Sequence, residues 1–139
     1  MIDTKDKKIL ALLKDNSRYS IRDIAKKAQL RPSTVHQRIQ KLLKERVIEK
    51  FTLKLNNEKV GENFIAFLLI TTHKDLPSLF FQNNQIKEVF GVTGEYDLIL
   101  KLKFQDITQF NSYLINLRKN EAIEKTLTMV STTTIKEET

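Results

Sequence analysis

At 139 residues the chain has room for one ordinary domain or two small ones, and 40% hydrophobic content excludes wholesale disorder. No apolar run approaches the roughly 20 residues of a membrane-spanning helix, the first residues lack a signal-peptide pattern, and zero cysteines exclude disulfides and thiolate metal sites, so a cytoplasmic location is expected. The net charge of +7 is unevenly spread: residues 1–60 hold 16 Lys/Arg against 7 Asp/Glu, whereas residues 61–139 hold 8 against 10, which suggests a polyanion-binding module joined to a near-neutral one.

The first sixty residues read as helices. Ile9, Leu10, Leu12 and Leu13 form an apolar stripe after Asp3-Thr4, a helix start, and Asn16-Ser17 ends that helix. Ser20 followed by Asp23 is a capping-box-like start, with Ile21, Ile24, Ala25 and Ala28 at helical spacing behind it. Gln29-Leu30-Arg31 is a tight link, and Pro32 suits the first turn of a third helix. Val35, Ile39 and Leu42 recur on one face of that helix, and Leu43 widens it. Val47-Ile48 and Phe51–Leu55 alternate as a hairpin packed on the helices. Asn56-Asn57 and Gly61 then place a domain boundary near residue 60.

The second half alternates strands and helices. Phe64–Thr72 is a continuous apolar strand, expected to be covered on both faces. A short helix over Leu76–Asn83 has Pro77 in its first turn, and Ile86–Val92 is a second strand. After a turn at Gly94-Glu95-Tyr96, Leu98, Leu100, Leu102 and Phe104 alternate with Ile99, Lys101 and Lys103 in a third strand. Asp106 caps a helix whose core face is Ile107, Phe110, Leu114 and Leu117. Ile123–Ile135 is a Thr-rich last strand. The fold class is α+β: an N-terminal winged helix-turn-helix over residues 1–60 and a C-terminal ferredoxin-like βαββαβ domain over 61–139.

Two short helices with a basic second one fit major-groove reading of double-stranded DNA. With Val35, Ile39 and Leu42 assigned to the core, the outward face holds Ser33, Thr34, His36, Gln37, Gln40 and Lys41, with Arg38 at its edge. Hydroxyls and amides there reach base edges, and Gln pairs with adenine through two hydrogen bonds. Lys26, Lys27, Arg22, Lys44 and Arg46 suit neighbouring phosphates. His36 and His73 lie in different halves and offer no metal site. No nucleophile constellation, phosphate loop or cofactor motif is present, so neither catalysis nor a cofactor is expected. Small acyl-phosphate hydrolases share the ferredoxin-like plan by analogy, but the first strand–helix loop offers Lys74 and no Arg.

On these residues the chain resembles the Lrp/AsnC family of transcription regulators. Asp6, Ile9, Leu10 and Leu13 match its opening "D-x-x-I-L-x-x-L" helix, Arg18 and Ile24-Ala25 follow, and "P-S-T-V-H-x-R" stands as Pro32 to His36 and Arg38. The likeness resumes at Val60–Phe64 and Phe90–Leu100 and spans nearly the whole chain. It implies sequence-specific DNA binding, with Arg31 added to the contact set, and dimerisation through a ferredoxin-like (RAM-type) domain. Octamers are compatible with the resemblance alone. It also implies a small amino-acid effector held where dimers meet, by Gly94, Tyr96 and Asp97, with Thr132 and Thr134 completing the pocket. Without it, Gly91–Asp97 reads as a sharp hairpin in which Asp97 satisfies turn amides. Two departures stand out. Arg31 replaces the family's helix-capping Ser or Thr, leaving Ser33 as the substitute cap. Arg46 and Lys50 replace glycines of the wing, which relieve positive-φ strain. Two other readings remain open on the residues: a DNA-organising protein with little sequence preference and no effector, and a stand-alone amino-acid sensor acting on protein partners.

Overall fold

A computed structural model describes residues 1–138 and divides the chain into two compact units, Met1–Leu53 and Lys54–Thr139. The segment 54–60, expected to close the first domain, therefore groups with the second.

The first unit is three helices, α1 (Thr4–Asp15), α2 (Ile21–Ala28) and α3 (Pro32–Lys44). Asp3 and Asp6 form a full capping box on α1, as Ser20 and Asp23 do on α2, so in each of these helices the amides of the cap residue and of the third helical residue are satisfied. Ile9, Leu13, Ile24, Ala25 and Val35 make the core, with Ile39, Leu30, Tyr19 and Ile48 packed around it. Leu42 is buried as well, so the α3 stripe faces inward as its spacing requires.

Helices α2 and α3 end alike. Gln29 (φ 57°) and Arg46 (φ 59°) adopt the left-handed conformation. The amides of Leu30 and Val47, next along, donate to Ala25 (2.9 Å) and Leu42 (2.9 Å) five residues back. This is a Schellman closure, a position where Gly is the favoured residue. The family glycine replaced by Arg46 thus sits where left-handed backbone is required, whereas Lys50 has no positive φ.

The expected wing hairpin is corrected. No strand forms between Glu45 and Asn63. The amides of Val47 and Ile48 donate to Leu42 at the end of α3 instead of to a partner strand. Phe51, Leu53 and Leu55 alternate as a strand would but stay exposed; alternation describes a face, and without a neighbouring edge it closes no ladder.

The second unit is a four-stranded antiparallel sheet, β2-β3-β1-β4, from β1 (Phe64–Thr72), β2 (Ile86–Gly91), β3 (Leu98–Phe104) and β4 (Ile123–Val130), with helix α4 (Ile107–Leu117). This is the ferredoxin-like strand order. Ala66, Leu68, Ile70, Leu100, Leu102 and Phe104 point to one face and pack on Phe110 and Leu117 of α4. Tyr113 fills the same layer; among the described residues its hydroxyl has no hydrogen-bond partner, and burial pushes its pKa up to about 12.

Several expectations change here. The helix over 76–83 is only a 3₁₀ turn, Ser78–Gln82, with Pro77 just before it. Its Phe80 alone reaches the core, so there is no second apolar row to sustain a longer helix. Ile107 is exposed rather than core, because it opens α4 beyond the edge of the apolar layer. β1 is fully covered on one face only; on the other, Ile65 is buried near the returning tail, Phe67 and Leu69 are half-buried, and the neighbouring Phe90, Leu127 and Met129 are 60%, 44% and 47% exposed. The last strand ends at Val130, not Ile135. There the tail is held by one side chain. Glu137 accepts from Asn57 Nδ2 (3.0 Å) and pairs with Lys103 (2.9 Å) and Lys101. Burial pushes the Glu137 carboxyl up, but the hydrogen bonds from Lys101, Asn57 and Lys103 outweigh it and hold it well below the usual carboxylate range.

Relief of the left-handed backbone at the end of α2 is measurable. Gln29→Gly is expected to stabilise the first unit by about 0.5–1 kcal/mol, the excess of left-handed strain over the greater unfolded-state freedom of Gly. Urea unfolding followed by helix signal checks it; a loss of stability would mean that Gln29 is unstrained.

Candidate nucleic-acid interface

The outward stripe of α3 is continuous. Ser33, His36, Gln37, Gln40, Lys41 and Lys44 are all exposed and follow one another at three- and four-residue steps. Thr34 is half-buried at its border. The helix contains no acidic residue, so nothing on this element repels a polyanion.

The start of α3 bears on the same function. Arg31 occupies the cap position but makes no side-chain cap, and Ser33 does not replace it. Among the described residues the amides of Ser33 and Thr34 find no acceptor, and Pro32 has no N–H to offer. The missing cap costs about 1 kcal/mol. It also leaves two backbone donors and the positive end of the helix dipole facing outward beside the exposed Arg31 guanidinium, an arrangement suited to phosphate.

Lys26 and Lys27 are exposed on α2, as is Arg22. Lys27 lies over the Tyr19 ring (5.2 Å), a placement that orders its side chain without neutralising it. Arg46 and Lys50 are exposed after α3.

Arg38 departs from its expected neighbours. Its Nη1 donates to both oxygens of Asp3 (2.7 and 2.6 Å) and to Asp6 (3.1 Å). The hydrogen bond from Arg38, then that from the Asp6 amide, lowers the Asp3 pKa to about 2. Arg38 is correspondingly held above its usual value by the same two carboxylates. Spacing on α3 gave no sign of this contact, because the partners lie 32 and 35 residues earlier.

In the second unit the expected effector residues fall into two places. Gly94 (φ 114°) turns the loop between β2 and β3. The Asp97 carboxylate accepts from the Thr72 amide (2.9 Å) and, more weakly, the Thr72 hydroxyl (3.4 Å), and the Asp97 amide donates to Ile70 (2.8 Å). Lys125 sits over the Tyr96 ring (5.1 Å) and pairs with Glu95 (2.8 Å). These residues cluster at the Thr72 end of β1. Thr132 and Thr134 lie beyond β4, not on it, next to Ser131, whose amide donates to Ile65 at the other end of β1. At about 3.3 Å per residue, roughly 20 Å of β1 separates the two sets. One chain does not bring them together, and the Asp97 carboxylate is taken up by the Thr72 amide of β1 rather than by an amide of its own turn.

Comparisons with known proteins agree with both units. Residues 2–49 match the winged helix-turn-helix DNA-binding family, and residues 66–139 match the Lrp/AsnC ligand binding domain. The HTH-type transcriptional regulator FL11 of Pyrococcus furiosus is 34% identical over 134 residues, covering 94% of this chain and 89% of its own length. An AsnC family transcriptional regulator from Agrobacterium tumefaciens superposes with a TM-score of 0.91 at 25% identity, over 99% of this chain and 95% of that one. A transcriptional regulator from Neisseria meningitidis, solved in complex with L-Met, has the same fold with a TM-score of 0.91 at 22% identity, over 100% and 95%. No helix among the described residues is long and apolar enough to cross a membrane.

The depressed Asp3 pKa sets an acid limit. A group with a lowered folded pKa contributes stability above its ordinary value, here 3.8, and loses it as pH falls through about 2. Asp23, lowered by the Ser20 amide, adds in the same direction. The melting temperature of the first unit is expected to fall between about pH 4 and pH 2, and less steeply in Asp3→Asn. Parallel acid legs in the two proteins would show that Asp3 carries none of it.

Proposed function

The chain belongs to the Lrp/AsnC family of transcription regulators, and from that membership we propose that it binds specific duplex sequences through α3 and answers to a small amino acid through its second unit. The observation that carries this reading is the acid-free outward stripe from Ser33 to Lys44, backed by the buried Val35 and Leu42. Gln37 and Gln40 have the amides for adenine, Ser33 and His36 the donors and acceptors for other base edges. Arg31, Lys26, Lys27 and Lys41 supply phosphate contacts that set register. Thr34 stands beside them at the start of the helix.

One such helix contacts only a few base pairs, so two copies are needed for a useful site. The open face of the sheet favours a two-fold dimer. Phe90, Leu127 and Met129 leave apolar surface that a second copy would cover. Family membership and the L-Met complex of the Neisseria protein support an amino-acid effector. In a dimer or higher assembly, Gly94, Tyr96 and Asp97 of one chain and Thr132 and Thr134 of another are the residues that would line its pocket.

The experiment is selection of bound duplexes by the full chain, with and without pooled amino acids, followed by titration of variants. His36→Ala and Gln37→Ala are each expected to weaken the selected duplex by about 1–3 kcal/mol while binding random duplex as before. Affinity should fall steeply with salt. Equal affinity for selected and random duplexes would instead make this an effector-free DNA-organising protein.

The oligomer has its own test. Leu127→Asp is expected to shift the protein from dimer to monomer in sedimentation; a wild-type monomer, or an unshifted variant, would rule out the sheet-face dimer.

A further inference from the structure

The first turn of α1 and one flank of α3 enclose a cleft of about 300 Å³ bordered by Asp3, Asp6, Thr34, Gln37, Arg38 and Lys41. Two carboxylates thus stand beside side chains proposed to meet DNA. A negative charge there repels a polyanion, so on charge alone both are misplaced.

Their geometry gives them another task. Asp3 and Asp6 are locked to each other: the Asp6 amide donates to Asp3 (2.9 Å) and the Asp3 amide to Asp6 (3.2 Å). Asp6 is 7% exposed, and the helix it begins is anchored by Ile9 in the core. Onto this rigid pair Arg38 directs the two N–H groups of Nη1, shared among three carboxylate oxygens. Arg38 neighbours Gln37 in the chain and lies at the edge of the reading stripe. The contact therefore restrains the rotation of α3 about its own axis. A few degrees of such rotation displaces His36, Gln37 and Gln40 relative to the base edges.

We propose that Asp3 and Asp6 govern the sequence discrimination of this protein without touching nucleic acid, by holding Arg38 as a strut that fixes the aim of α3. This rests on the reading of α3 as the base-contacting helix. Arg38 is accordingly a positioning residue rather than a phosphate ligand.

The discriminating variant is Asp3→Asn, which keeps a side-chain oxygen for the helix cap but removes the charge. A purely electrostatic view expects it to bind all DNA somewhat more tightly. The strut predicts that random-duplex affinity is unchanged or higher while preference for the selected duplex drops about tenfold, the equivalent of one misread base pair. Arg38→Lys, which keeps the charge but ends one atom short of the Nη1 position, should lose discrimination too. Arg38→Ala should lose it with an unaltered salt slope, whereas a phosphate ligand would take about 0.9 off that slope. Melting curves run alongside separate folding from aim. Undiminished preference in Asp3→Asn overturns the proposal, as does a reduced salt slope in Arg38→Ala, or loss of stability in these variants with preference intact. If the wild type itself shows no preference among duplexes, the base-reading assignment fails and the strut with it.

Discussion

Burial of Val35 and Leu42 against the first two helices is the constraint from which the rest of the first unit follows. With Val35 wholly inaccessible and Leu42 nearly so, α3 has a single rotational setting that keeps its apolar side out of water. Every other side chain on the helix is assigned by that setting: Ser33 through Lys44 outward in one stripe, Thr34 and Arg38 on the flank. A helix three turns long gains little from its own backbone, so the same packing that aims the stripe also keeps it helical.

The second unit obeys the corresponding rule for a sheet. One face of the four strands is closed by α4, with Phe104, Phe110 and Tyr113 packed edge-on or tilted in the layer between. The other face is apolar toward the Thr72 end of β1 and charged toward the Phe64 end. There Lys101 and Lys103 meet the Glu137 carboxylate of the returning tail. The tail thus satisfies two lysines that would otherwise stand on a half-buried surface, and it leaves the Leu127 and Met129 end of the face free.

What the sequence disclosed follows from the range of the interactions involved. The Ser20–Asp23 capping box spans three residues and the inward stripe of α3 spans seven, so both were legible locally, whereas Asp3 reads only as a helix start and sequence reasoning missed its reciprocal partner Asp6. The alternation of Leu100 and Leu102 with Lys101 and Lys103 likewise marked β3 and told which residues faced α4. Interactions that join distant segments left no local trace. The Arg38–Asp3 pair spans 35 residues and the Asn57–Glu137 bond spans 80. The Thr-rich run beyond Val130 has the composition of a strand, but the strand ends where the tail turns toward Glu137. The wing had the right alternation and no partner edge within the chain. The split of Gly94, Tyr96 and Asp97 from Thr132 and Thr134 also depends on tertiary placement, because both segments border β1 but at its opposite ends.

The two arginines at the ends of α3 share one physical pattern. Arg31 takes a cap position without capping, and Arg46 takes a left-handed position that Gly would occupy without strain; each costs on the order of 1 kcal/mol. Among the described residues neither side chain is paired with an acid, and both are exposed at the two ends of α3. The capping boxes of α1 and α2 and the Asp3–Arg38–Asp6 network lie elsewhere in the same unit and stabilise it by local, fully formed contacts. Local backbone preference is therefore set aside by an exposed cation at each end of α3, and by the uncharged Gln29 at the end of α2. At the two arginine positions, unlike Gln29, the conformational cost comes with free positive charge at an end of α3.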